Sequence, residues 1–314
     1  MPIFLCCFQP PAIVGLALAS APFGMPTTPF WMYVSGTVIL IAGFVKIPRE
    51  LPQEQGIDKI MPFGRLFFAM PLAVFGSEHF TIATDIASMV PSWIPWHMFW
   101  AYAIGLGFLL AALSMVLLIQ ARLAAALVGM TMFIFVCVMD IPGLASSLHD
   151  RFAWALTLRE LSFGSGGFAL AISLGNARRT TPARQFPWIS FPRCFIGLAA
   201  LFYGVEHLLH PEHVPGVPLE KLSPEWIPGR IGLSYFVGVI LILAGACLLA
   251  NKKTRLAATF LGLTILLTMV WIYLPILMAA PKDVVALNYF FDTLLYCGTI
   301  LLLANALPKE SAAA

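Results

Sequence analysis

Long apolar segments separated by short polar loops make up most of this chain. Eight of them have the roughly 20 residues that a helix needs to cross a bilayer. They cover about residues 62–80, 98–119, 122–140, 152–174, 189–209, 231–250, 255–279 and 285–306. Each segment has apolar residues on every face of the predicted helix. The sequence lacks the period-two alternation of a membrane β-barrel. The pattern predicts transmembrane helices.

Two further apolar stretches come before these segments. Residues 12–25 are short and broken by Pro22 and Pro26, which fits a re-entrant segment, a weak signal region or a damaged helix. Residues 30–45 are a better span. Residues 48–60 form the first polar linker, because prolines and charges there oppose membrane insertion. We expect one or two N-terminal membrane helices.

One motif occurs twice along the chain. FGSEHF at 75–80 is followed by PSWIP at 91–95, and YGVEHL at 203–208 is followed by PEWIP at 224–228. The copies are 128 residues apart in the first part of the motif and 133 apart in the second, which one five-residue insertion explains. At the separation of 133, five further pairs of residues are identical in the two copies: Tyr102/Tyr235, Gly105/Gly238, Arg122/Arg255, Gly129/Gly262 and Pro142/Pro275. These matches predict an internal duplication of roughly 120 residues, which is too long for a solenoid repeat.

The composition indicates that the whole chain is a membrane protein. The chain has 60% hydrophobic and 11% charged residues and a mean hydropathy of +0.89. Soluble domains have about 25% charged residues, so the composition excludes a soluble globular protein. The net charge of +3 is too small to indicate a nucleic acid as a partner. We expect the lipid bilayer as the partner and no nucleic acid.

These patterns predict an all-α integral membrane protein with two tandem four-helix transmembrane bundles after one or two N-terminal helices. Residues 1–60 would hold the N-terminal membrane segments and the polar linker, 61–180 the first unit and 181–314 the second. Each unit has an even number of helices, so both copies should have the same orientation. A pseudo-twofold axis along the membrane normal should therefore relate them.

Positively charged residues concentrate in alternate loops, which assigns these loops to the cytoplasm. They are Lys46, Arg49, Lys59, Arg65, Arg122, Arg178, Arg179, Arg184, Arg193, Lys252, Lys253 and Arg255. The opposite loops contain mainly acidic residues together with all six histidines. We therefore expect the histidines to face the outside.

The outer ends of the spans hold the first candidate site. An ionisable residue near the end of a transmembrane helix is costly unless it is paired or lines a polar cavity. The candidate ligand-binding residues are Glu78, His79, Trp93 and Asp140 in the first copy and Glu206, His207, Trp226 and Tyr273 in the second. We expect each set to line the outer mouth of its own bundle. The structural alternative places the glutamates, histidines and tryptophans at the level of the lipid headgroups.

Three more polar residues lie inside the predicted spans. Arg159 and Glu160 lie in the fourth helix of the first unit, and Asp292 has nearly the matching place in the second. A buried charge needs compensation from a partner. Two interpretations follow, in which these residues form packing ion pairs or line a functional cavity.

Three histidines of the second copy are candidate metal ligands. His207, His210 and His213 have the spacing i, i+3 and i+6, and imidazole is a common ligand of zinc, copper, iron and haem. Pro211 should distort or end the helix between them, and the spacing matches no known metal signature. The alternative is a group of titrating interfacial histidines. Because three imidazoles concentrate in the second copy, we expect that copy to be the working ligand site.

The duplicated motif resembles the DoxX and DoxX-like family of small bacterial four-helix membrane proteins. In the first copy the resemblance is based on GSEHF at 76–80, MVPSWIP at 89–95 and FWAY at 99–102. In the second copy it is based on Gly204, His207, the residues 224–228 and Gly238. It covers about residues 61–307 and implies a multi-pass protein of the bacterial inner (cytoplasmic) membrane. The tandem duplication and the extra N-terminal helix depart from the usual member.

Three functions stay open on this sequence. The resemblance implies a membrane subunit of a redox complex, with a quinone as the candidate cofactor and other membrane or peripheral redox subunits as partners. The sequence has no C-x-x-C pair, P-loop, nucleophile elbow, H-E-x-x-H or dinucleotide fingerprint, and therefore no catalytic signature. The alternatives are a small-solute or ion carrier built from two parallel repeats and a purely structural membrane subunit.

The charge distribution predicts that both Glu-His pairs are extracytoplasmic and that the C-terminus is cytoplasmic. In a variant without native cysteines, single cysteines at residues 178–184 should resist an impermeant maleimide in intact cells and react after permeabilisation. His149→Cys is the matched control and should react in intact cells. Labelling of residues 178–184 from outside would reverse this topology.

Overall fold

The computed structural model describes residues 24–53, 55–176, 187–214 and 221–308. These residues form helices joined by short loops, and no β-strand occurs among them. An isolated β-bridge joins His213 and Leu222. The apolar stretch at 12–25 lies almost wholly outside the described residues, so its interpretation stays a prediction.

Every predicted span in the described residues coincides with a helix. The helices are α1 (Thr27–Lys46), α2 (Met61–Thr81), α3 (Ala83–Met89), α4 (His97–Leu117), α5 (Ala121–Phe135), α6 (Ile141–Ser146), α7 (Arg151–Asn176), α8 (Ser190–Leu209), α9 (Arg230–Leu249), α10 (Thr254–Thr268), α11 (Leu274–Ala279) and α12 (Val284–Ala306). The all-α class is therefore confirmed. The largest difference from the sequence prediction is the third span, which continues through α6 to Ser146.

Seven helical segments of the described residues are long and apolar enough to cross a membrane. They are Thr27–Lys46, Gly56–Thr81, His97–Leu117, Ala121–Ser146, Arg230–Leu249, Thr254–Ala279 and Val284–Ala306. Large apolar side chains cover their outer surfaces, among them Phe44, Leu127, Phe236, Leu267 and Met278. Such a surface suits lipid better than water, so the helices indicate a polytopic membrane protein in contact with a bilayer.

The other two long helices, α7 and α8, are more polar because they carry charged residues within their length. α7 has 26 residues and includes Arg159 and Glu160, and α8 has 20 residues and includes Arg193 and Glu206. Both pack against several other helices, α7 against α5, α8 and α12, and α8 against α7 and α9. Neighbouring helices can thus compensate the polar groups, which lipid cannot do.

A π-helical turn interrupts the third helix of each predicted unit. The unit 61–180 is called the first half and the unit 181–314 the second half. The turns span Val136–Asp140 between α5 and α6 and Met269–Tyr273 between α10 and α11. In both cases a proline follows within two residues, and proline lacks the N–H of a regular helical turn and its ring displaces the carbonyl four residues earlier. The wider turn accommodates that loss. It places Asp140 and Tyr273 at the same point of each half.

Glycines bring the first and second helices of each half into backbone contact. A Cβ atom on Gly76 of α2 would lie 2.9 Å from the carbonyl oxygen of Gly105 in α4. A Cβ atom on Gly204 of α8 would lie 2.8 Å from the carbonyl oxygen of Gly238 in α9. The two crossings therefore use glycines that the sequence register pairs with each other.

The fourth helices of the two halves, α7 and α12, meet at the centre of the protein. α12 packs against α2 and α10 as well as α7, and α7 packs against α5 and α8 as well as α12. The first helix of each half thus contacts the last helix of the other half. These contacts join the halves, and the arrangement as two separate bundles is not confirmed. The boundaries 1–60, 61–180 and 181–314 stay predictions.

The close packing of α12 against α2 predicts that one added methyl group destabilises the protein. A Cβ atom on Gly298 of α12 would lie 2.5 Å from the backbone nitrogen of Phe68 in α2. Gly298→Ala should therefore destabilise the protein by about 1–3 kcal/mol, measured as a lower unfolding temperature in detergent. Gly107→Ala is the matched control, because nothing lies within 4 Å of that position. Equal unfolding temperatures of the two variants would contradict the close contact.

Candidate functional site

An ion pair between α7 and α12 lies in the interior of the helical assembly. Arg159 Nη1 is 2.8 Å from Asp292 Oδ2, and the two side chains keep only 17% and 15% of their exposure. The residues are 133 apart, which is the register of the second part of the duplication. Each lies eight residues, or about 12 Å, from the predicted outer end of its helix. Asp292 therefore matches Arg159 in the register and is also its partner in space.

Two carboxyl groups form a pair beside this ion pair. Asp140, at the end of the first π-helical turn, is hydrogen-bonded to Glu160 of α7. Asp140 Oδ2 and Glu160 Oε2, one oxygen of each group, are buried and have no hydrogen-bond partner among the described residues. A carboxylate can only accept hydrogen bonds, so one of the two groups must carry the proton that joins them. The pair therefore holds one exchangeable proton inside the protein.

The matching positions of the second half are neutral. Tyr273 ends the second π-helical turn and is hydrogen-bonded to Thr293 of α12. These two residues correspond to Asp140 and Glu160 in the register of the duplication. The same contact between third and fourth helix thus recurs, but only the first half uses titratable carboxyl groups for it.

Buried hydroxyl groups extend the polar region along α7 and α12. The Tyr203 hydroxyl donates to the carbonyl oxygen of Ala155 at 2.6 Å, and the Tyr203 ring is 6.0 Å from that of Tyr296. Hydroxyls of Ser165, Tyr296 and Thr299 are buried without a hydrogen-bond partner in the described part of the chain. The sequence analysis missed these residues. Their signal is the spacing of three between Thr293, Tyr296 and Thr299 on α12 and between Ser162 and Ser165 on α7.

Each glutamate of the duplicated motif contacts the fourth helix of the other half. Glu78 Oε1 accepts a hydrogen bond from Asn288 Nδ2 of α12 at 3.0 Å. Glu206 Oε2 is 2.9 Å from Arg151 Nη1 at the start of α7. The sequence analysis placed Glu78 with Asp140, which instead lies with Glu160. Asn288 and Arg151 as partners were missed.

The two motif histidines lie at the glycine crossings of their own halves. A His79 ring nitrogen is 2.8 Å from the Phe75 carbonyl oxygen, and a Cβ atom on Gly105 would lie 2.5 Å from His79 Cβ. His207 is fully buried, and a Cβ atom on Gly238 would lie 3.1 Å from His207 Cβ. Packing at a crossing is thus a role that both histidines share.

The motif tryptophans lie on the surface of the protein. Trp93 is 71% exposed and Trp226 is 57% exposed. A tryptophan that lined an outer mouth would be partly covered by the helices around it. The exposure of both residues therefore does not support that predicted place. Their surface position fits the interfacial interpretation of the sequence analysis.

The loop after α8 brings together a different set of metal-ligating groups from the predicted one. α8 ends at Leu209, and ligand atoms of His210, Glu212 and His213 all lie within 4.8 Å of one another. His207 is not part of this group. Burial lowers the pKa of His213, and a hydrogen bond from its own backbone N–H lowers the pKa of Glu212. At neutral pH both groups are therefore in the forms that ligate a metal.

Comparisons with known proteins give no match to this chain. No protein-family model matches it. No curated protein and no solved structure matches it either.

The central cluster predicts an order of stability among single variants. Arg159→Leu removes the positive charge that lies near Asp140, Glu160 and Asp292 and should destabilise the protein by about 3–5 kcal/mol. Asp292→Asn removes only one of the three acidic partners and should cost less. Unfolding temperatures in detergent would measure both effects.

The matched control is Glu225→Gln, whose side chain is 92% exposed and lies 3.6 Å from Arg230. An exposed pair of this kind contributes about 0–1 kcal/mol. If Arg159→Leu changed the unfolding temperature no more than Glu225→Gln, the central pair would have no structural role.

Proposed function

We propose that this protein is a carrier of a small cation in the bacterial cytoplasmic membrane, built from two parallel DoxX-like repeats. The proposal rests on one observation, the buried cluster of Arg159, Asp292, Asp140 and Glu160 between α7 and α12. Ionisable residues are costly inside a membrane and are kept where they face a partner or a solute pathway.

The charge of the cluster favours a cation as the solute. Three carboxyl groups surround one guanidinium, and the proton shared by Asp140 and Glu160 neutralises one of them. The cluster then has one negative charge in excess, which a small cation would compensate. Release of the shared proton adds a second negative charge, so cation binding and proton release are coupled.

Several features support the two parallel repeats. The π-helical turns, the glycine crossings and the ion-paired positions all follow the register of the duplication. The packing of α2 against α12 corresponds to the packing of α8 against α7. A pseudo-twofold axis between α7 and α12 accounts for these correspondences, and parallel repeats around a shared site are a known carrier architecture.

A membrane subunit of a quinone-linked redox complex is the second candidate function. It is favoured by Arg159 Nε and the Tyr296 hydroxyl, two buried donors that have no hydrogen-bond partner within the described residues. Donors of this kind can bind the carbonyl oxygens of a quinone. The neighbouring carboxyl pair would then supply one of the two protons that reduction of a quinone to a quinol consumes, and a partner redox subunit would supply the two electrons.

Transport currents would test the carrier. Proteoliposomes on a solid-supported membrane receive jumps of sodium, potassium or methylammonium ions at acidic and at alkaline pH. We expect a transient current with one of these cations, larger at alkaline pH because the carboxyl pair has then lost its proton. Glu160→Gln should lower the current at alkaline pH to its acidic value, since the cluster then keeps the single negative charge of the protonated pair.

Glu225→Gln is the control and should keep the wild-type current, because Glu225 is exposed in an outer loop. Equal currents in Glu160→Gln and the wild type at alkaline pH would show that the cluster does not carry transport. Absence of any cation current, together with a quinone that copurifies at one molecule per chain, would favour the redox subunit.

A further inference from the structure

The loop after α8 holds two imidazoles and a carboxylate against each other at the surface. Glu212 Oε1 is 3.5 Å from His210 Nδ1 and 3.3 Å from His213 Nδ1, so one carboxylate oxygen lies next to both rings. The ring centroids of the two histidines are 5.9 Å apart. The charge distribution predicts that the loop lies on the outer side, and its residues are not among those of the α7–α12 cluster.

The two Nδ1–Oε1 distances also suit a shared metal ion. Both exceed the roughly 2.7–3.2 Å of an N–H···O hydrogen bond. Ligand atoms about 2.0–2.2 Å from a tetrahedral zinc ion lie about 3.3–3.5 Å from one another. His213 Nδ1 is also buried without a hydrogen-bond partner among the described residues. A metal ion between the three groups would satisfy that nitrogen.

Backbone contacts hold the loop in this shape. The His213 N–H donates to the His210 carbonyl oxygen at 3.2 Å, and the Ser223 N–H donates to the Glu212 carbonyl oxygen at 2.9 Å. The Val214 N–H donates to the Lys221 carbonyl oxygen at 2.8 Å, and the Val214 side chain is fully buried. The ligand groups are therefore already assembled, which lowers the entropic cost of binding a metal.

We propose that His210, Glu212 and His213 bind a divalent transition-metal ion, with zinc as the expected occupant. Two nitrogens and one oxygen suit zinc better than magnesium or calcium, which prefer sites made only of oxygen. His210 and Glu212 are 38% and 48% exposed, so an ion can enter and keep a water as its fourth ligand.

The site is specific to the second half of the chain. In the register of the duplication its residues correspond to Ile82, Thr84 and Asp85 of the first half, which include no histidine. The nearest positive charge on α7 is Arg151, and its pairing with Glu206 at 2.9 Å reduces repulsion of a bound cation. A regulatory or structural zinc on the outer side would thus act on one half alone.

Zinc titration of the full-length protein in detergent tests the proposal. After treatment with EDTA and removal of the chelator, calorimetry with zinc chloride should show one ion bound per chain. His210→Ala and Glu212→Gln should each weaken binding by about tenfold or more. His149→Ala is the matched control, because it removes another outer histidine, and its affinity should equal that of the wild type. Magnesium chloride should give no binding at the same concentrations.

Unfolding temperatures without zinc would show that each variant is folded. Zinc affinities of His210→Ala and Glu212→Gln equal to that of His149→Ala would overturn the site, as would a wild type that binds no zinc. A zinc ion lost in His207→Ala but kept in Glu212→Gln would also overturn it, because the ligands would then be the three histidines alone.

Discussion

One guanidinium and three carboxyl groups are buried between α7 and α12, and their need for partners explains how the other helices pack. Arg159 is surrounded by three acidic side chains, and a guanidinium in the interior of a membrane protein requires such partners. The partners come from α12, from α7 itself and from the π-helical turn before α6. The fourth helices must therefore meet at the centre, and the other helices cover them from lipid.

Close packing makes this central contact feasible. A Cβ atom on Gly166 of α7 would lie 2.6 Å from the Thr299 hydroxyl of α12, and Gly298 of α12 touches the backbone of α2. Small residues at these points let the helix backbones approach, which is the usual source of stability between helices in a bilayer. The charged cluster and the Gly166 contact thus stabilise the same interface between α7 and α12, and the Gly298 contact holds α2 against α12.

The two halves combine matched geometry with different chemistry. Corresponding positions carry Arg159 and Asp292, so the halves contribute opposite charges to a single pair. The carboxyl pair of the first half is replaced by Tyr273 and Thr293 in the second. Among the described residues, the group of possible metal ligands, His210, Glu212 and His213, lies in the second half. Corresponding positions of the two predicted repeats thus carry different groups, although the helices that hold them pack in the same way.

The helices follow from the sequence alone, because the length and apolar character of a span are local properties that lipid imposes on each segment. It also singled out Arg159, Glu160 and Asp292 as polar residues that need partners, whereas it placed Asp140 at an outer mouth with Glu78. Which residues become partners was decided by the tertiary structure. Glu78 meets Asn288, 210 residues away, and Glu212 takes the place expected for His207 beside the other two histidines. These contacts depend on how distant helices pack and where a loop turns, and such long-range geometry has no signature in local sequence.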